Sequence, residues 1–105
     1  MKRNDTSPAL KMQCQDNEGN GVDISNADIK FHLVELTSGD IVIDKTPTIT
    51  EGTQGEIKYQ WEPEDTEKAG VYVAEAEVVY QDGEIETFPN DQSENIIVQI
   101  HEDLN

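Results

Sequence analysis

Residues 65–88 read Asp65-Thr66-Glu67-Lys68-Ala69-Gly70-Val71-Tyr72-Val73-Ala74-Glu75-Ala76-Glu77-Val78-Val79-Tyr80-Gln81-Asp82-Gly83-Glu84-Ile85-Glu86-Thr87-Phe88. Successive side chains of an extended chain point to opposite sides, so from Val71 to Tyr80 the residues Tyr72, Ala74, Ala76, Val78 and Tyr80 share one face. The stretch is predicted to be a long strand with an apolar side. Gln81-Asp82-Gly83-Glu84 follows as a hairpin signal, its Asp-Gly pair suited to a type I′ turn, and Ile85 to Phe88 returns alongside. Ahead of the strand, Asp65 to Tyr72 has the form of a corner, where a Tyr hydroxyl bonds back to upstream backbone and holds a crossover in place.

The same alternation recurs on both sides of this stretch. Leu10, Met12 and Cys14 share a face between Ala9 and Gln15, and Ile29, Phe31 and Leu33 share one between Asp28 and Leu36, with Lys30, His32 and Val34 opposite. Thr37-Ser38-Gly39-Asp40 turns the chain into Ile41-Val42-Ile43. A short extended piece is expected through Val22 and Ile24, and a short strand at Thr48 to Thr50. Ile57, Tyr59 and Trp61 lie on one face of the next strand, Glu62 to Ala69 breaks the pattern with a helical turn, and Ile96 to Ile100 closes the chain. About seven strands, with turn signals roughly every 8–12 residues, fit an immunoglobulin-like antiparallel β-sandwich, a small barrel being the competing architecture. Residues 1–105 read as a single domain, with 1–7 and 102–105 as short tails.

Composition narrows the partners. Against 7 basic side chains stand 23 acidic ones, a formal net charge of −16, which repels phosphate backbones and anionic membranes. Neither nucleic acid nor a membrane is an expected partner. Hydrophobic residues make up 34% and recur in alternation, so the chain is read as folded with an acidic skin rather than as a disordered acidic tail. The longest apolar runs, such as Ile96-Ile97-Val98, fall far short of the roughly 18 residues a membrane helix needs. Met1-Lys2-Arg3 leads into polar residues without a signal-peptide apolar region, and the single cysteine, Cys14, allows no internal disulfide. Synthesis in a reducing cytoplasm is the expectation.

Residues able to carry chemistry are few and scattered. Asp16, Glu18, Asn20 and Gly21 match the first half of a calcium loop, but its twelfth position is Ala27, so a plain turn is expected. Glu62, Glu64, Asp65 and Glu67 crowd carboxylates together; a solvated face is the first reading and a basic partner's contact the second. His32 and His101 are expected at the surface, and Cys14 as a small buried hydrophobe. No nucleophile, phosphate loop or zinc pattern stands out, so no catalytic residue, cofactor or metal site is assigned.

Two stretches carry a resemblance: Asn4-Asp5-Thr6-Ser7-Pro8, and Trp61-x3-Asp65-Thr66-x3-Gly70-x-Tyr72-x-Ala74-Glu75 running into Asp82-Gly83-x2-Glu86-Thr87-Phe88-Pro89-Asn90. They resemble the N-terminal domain of phage baseplate upper proteins and the small immunoglobulin-like phage domains similar to it. The resemblance implies a virion structural domain that anchors a receptor-binding or fibre-carrying chain. It implies a fold role, not chemistry, for Trp61, Asp65, Gly70, Tyr72, Asp82, Gly83, Phe88 and Pro89. Partners would be other virion proteins with basic contact surfaces, in a symmetric multi-copy assembly. The sequence runs to Asn105 without a shaft or coiled coil, so a freestanding adaptor at a baseplate, neck or tail-fibre base is expected, ahead of a head decoration. A carbohydrate- or calcium-binding module is the alternative from another class.

Overall fold

A computed structural model describes residues 1–90 and 94–102. Among them the chain forms β1 (Leu10–Gln13), β2 (Asp28–Glu35), β3 (Ile41–Lys45), β4 (Thr48–Glu51), β5 (Glu56–Tyr59), β6 (Gly70–Val79), β7 (Ile85–Phe88) and β8 (Ile96–Ile100). Three strands make one sheet in the order β1-β5-β4, and the other five make a second sheet, every pair antiparallel. No strand is shared, so the architecture is a sandwich rather than a barrel.

The long strand read from the sequence organises the larger sheet. One edge of β6 pairs with β2 from Tyr72 to Val79. Its other edge is split: Gly70 to Ala74 pair with β8, and Ala76 to Val79 pair with β7. Ten residues are long enough to hold two short partners end to end, which no local pattern announces. Among the described residues the strand count is eight, because Thr48–Glu51 is a full strand. The expected piece through Val22 and Ile24 is not a strand; its amides instead donate to the carbonyls of Cys14 (2.8 Å) and Gly52 (2.9 Å).

Between the sheets lies one apolar cluster. Phe31 and Leu33 of β2, Ala74, Ala76 and Val78 of β6 and Phe88 of β7 meet Met12 of β1 and Ile57 and Tyr59 of β5. Phe31 stacks on Tyr59 across the two layers, with centroids 4.2 Å apart and planes within 9°. Trp61 stands edge-on to both, at 6.0 Å and 5.3 Å. Edge and face contacts of this kind add to what burial alone contributes.

Two local expectations need correction. The Asp82-Gly83 turn is not type I′, which requires positive φ at both central residues; only Gly83, at φ 90°, has it. The Gly83 amide donates to the Tyr80 carbonyl (3.0 Å) and the Tyr80 amide to the Glu84 carbonyl (2.9 Å), a three-residue loop whose glycine takes the left-handed position. The Asp82 carboxylate receives the Glu84 amide at 3.0 Å, which favours this tighter local bonding. His32, expected at the surface, is 9% exposed. Its ring is covered by neighbouring strands, and its Nε2 lies 3.1 Å from the Asp44 carboxylate on β3.

Candidate functional site

The crossover from β5 to β6 gathers the residues singled out in the sequence. After Trp61 the chain makes a 3-10 turn at Pro63–Thr66, where proline at the start supplies the required φ. Asp65 closes that turn. Its Oδ2 accepts from the Glu62 amide (2.9 Å) and from the Tyr59 hydroxyl (2.5 Å), and its Oδ1 from Lys45 Nζ (3.3 Å). The Asp65 side chain is 4% exposed, so it is not part of a solvated carboxylate face, whereas Glu62, Glu64 and Glu67 are exposed. Burial, and then the Asp65 charge, push the Tyr59 phenol well above its ordinary range, so it stays a donor.

Tyr72 then folds back over the corner, and its hydroxyl donates to the Lys68 carbonyl at 2.8 Å. The glycine two residues earlier makes room for this. A Cβ at Gly70 would lie 3.3–3.4 Å from the Tyr72 ring and hydroxyl, pressing on the side chain that closes the corner.

The N-terminal residues, expected as a tail, instead lie as a strap across this crossover. The Asn4 amide donates to the Thr66 carbonyl (3.0 Å), and Asn4 Nδ2 to the Pro63 carbonyl (3.1 Å). Thr66, fully buried, donates its hydroxyl to the Asp5 carbonyl (2.9 Å), and Gln60 Nε2 donates to the Thr6 carbonyl (2.7 Å). Asn4 holds φ 66°, a conformation asparagine tolerates better than most residues. Ahead of it, the Arg3 amide donates to the His101 carbonyl and the His101 amide to the Met1 carbonyl, which ties the strap to the end of β8. The two stretches that carried the sequence resemblance thus touch each other. Sequence reading missed the contact because its partners stand 54 to 62 positions apart.

Other candidates are placed as follows. Phe88 is buried opposite Ala76, and Pro89 follows it half-buried. Asp16 Oδ1 accepts the amides of Glu18 (2.9 Å) and Asn20 (3.0 Å), so the calcium-like stretch is closed on itself as a turn. Cys14 is fully buried, and burial together with Glu86 raises its thiol to about 11. His101 is exposed, and no group of three or more His, Cys, Asp or Glu side chains is arranged to hold a metal among the described residues. A cleft of about 420 Å³ runs beside the strap, lined by Met1, Pro8, Leu10, Trp61 and Val98, with Asp5 among its lining. The Asp5 carboxylate is already bonded to the Lys2 amide at 2.9 Å.

The side chains assembled here therefore bond to the fold itself. A search of curated proteins found no match for the chain. Residues 1–103 match the family model described as the BppU N-terminal domain. That span includes strap, crossover and every strand, and the chain belongs to the family of N-terminal domains of phage baseplate upper proteins, which makes it a structural baseplate component of the virion.

Proposed function

We propose that this domain is an attachment module that works by protein–protein contact, at the baseplate, neck or tail-fibre base. The observation that carries this reading is the family match over residues 1–103. It is supported by the way the buried polar side chains are used. Asp65, Tyr59 and Tyr72 bond within the crossover and Thr66 bonds to the strap over it, which leaves the sheet faces and loops to meet a partner. On this reading Trp61, Asp65, Gly70, Tyr72, Asp82, Gly83, Phe88 and Pro89 maintain one folded unit and do not themselves form the contact. The net charge of −16 favours a partner surface that supplies Lys and Arg, with association weakening as salt rises.

Quantitative mass spectrometry of separated heads and tails tests the proposal. The expected result is the protein in the tail fraction, in a copy number that is a small multiple of the tail symmetry, and released more readily at high salt. Many copies on heads would establish a decoration role instead, and absence from both fractions would end the attachment reading.

A further inference from the structure

The outer face of the five-stranded sheet carries an apolar row that is buried at its middle, where Val73 is 6% exposed, and open at its ends. Val34 pairs with Ile41 on one side and Val73 on the other, and Val73 pairs with Ile97. Cross-strand partners on one face stand about 4.5–5.5 Å apart at Cβ, so these four form a continuous band across β3, β2, β6 and β8. Val71 and Leu36 extend it, joined by the Leu36 amide donating to the Val71 carbonyl at 3.0 Å. A β-bulge between Leu33 and Val34 sets Ile41 and Val42 against one residue, and both remain exposed, at 56% and 47%.

This band is local. Seven large apolar side chains are exposed among the described residues, and five of them (Leu36, Ile41, Val42, Val71 and Ile97) lie in it. The run Val71-Tyr72-Val73-Ala74 is apolar on both faces, as is Ile96-Ile97-Val98, a pattern that belongs to strands covered on both sides. Farther along β6 the outer face turns acidic at Glu75 and Glu77, so the apolar cover is wanted over one half of the strand only.

Charge decides what covers it. The row beside the band holds Asp44, His32 and Glu75, the next sets Glu77 across from Lys30, and Asp40 and Glu35 lie at the β2–β3 hairpin. Lys68 at that end is paired with Glu35 at 3.1 Å. A second copy brought face to face would set this acidic rim against its own, on a chain of net charge −16, and an anionic membrane would be repelled likewise. We propose that this face docks a different virion protein, one presenting apolar side chains within a rim of Lys and Arg. The inference rests on the attachment reading above and adds the surface and the chemistry of the partner.

The test is competition between parent protein and variants for assembly into phage particles, with photo-crosslinking of the assembled particles from positions 41, 97 and 49. Ile41→Asn with Ile97→Asn removes apolar contact without adding charge. Both side chains are more than half exposed, so the melting temperature should stay near that of the parent. Incorporation is expected to fall by about tenfold or more, while Ile49→Asn on the other sheet assembles like the parent. Crosslinks from 41 and 97 are expected on one other virion protein, in a peptide containing Lys or Arg. Undiminished incorporation of the double variant, crosslinks from 49 alone, or crosslinks to a second copy would overturn the proposed face while leaving attachment standing. Failure of the parent itself to enter particles would remove both.

Discussion

Asp65 shows how one residue changes meaning on folding. In the sequence it sits among Glu62, Glu64 and Glu67 and reads as one of four solvated carboxylates. In the fold its side chain is 4% exposed and held by Tyr59, the Glu62 amide and Lys45. The buried partner should matter more than the exposed one. Tyr59→Phe takes a donor from a charged, buried acceptor and is expected to cost about 1.5–3 kcal/mol in denaturant unfolding. Lys45→Met, at a side chain 42% exposed, should cost under about 1 kcal/mol because water screens that pair. Equal losses would show that the Lys45 charge anchors the crossover as much as the phenol does. Tyr72 was legible because its corner bonds locally to Lys68, four residues back. Asp65 and His32 were not, since burial of a polar residue depends on what distant strands place over it.

At the scale of elements, β6 carries the design. Its inner face was readable from alternation, yet why alanine stands at its centre was not. Ala76 pairs with Phe31 on one side and Phe88 on the other, and Phe31 in turn stacks on Tyr59 of the facing sheet. Small residues at this point give the aromatic rings their space. Ala76→Leu is therefore expected to cost about 1–3 kcal/mol through overpacking, although it makes the strand more hydrophobic. Glu77→Ala, next to it on the outer face, should change stability by less than about 0.5 kcal/mol. Urea midpoints of the two variants check this, and a stabilised Ala76→Leu protein would show that the ring packing leaves a void. The hairpin after β6 was expected at its position and mistaken in its turn type. Asp-Gly marks where a chain reverses, while the number of loop residues is settled by the register of Val79 against Ile85.

For the whole molecule, the titration of buried groups sets an alkaline limit. All three tyrosines are raised above their ordinary 10.0: Tyr59 by burial and then Asp65, Tyr72 by burial and then Glu35, Tyr80 by burial and then Glu86. The Cys14 thiol is pushed up from 9.0 to about 11 by burial and Glu86. The folded state thus keeps protons that the unfolded chain releases, so this contribution to stability is intact below pH 9.0 and is lost as pH rises. Loss should begin near 9.0 with the thiol and steepen above 10.0 with the phenols. The expected observation is phenolate absorbance and thiol reactivity that appear together with unfolding; smooth ionisation of a folded protein near 10.0 would contradict it. What the amino-acid sequence determined by itself is the β class, the long central strand, the corner and the family resemblance. Each depends on period-two alternation or on bonds between near neighbours. Tertiary structure alone decided that Met1 to Thr6 strap the crossover, that β7 and β8 share one edge of β6, that Asp65 and His32 are buried, and that the apolar row on the outer face lies open at its ends. These depend on which distant segments come together, and the pairing of strands far apart in the chain is not written in any local pattern.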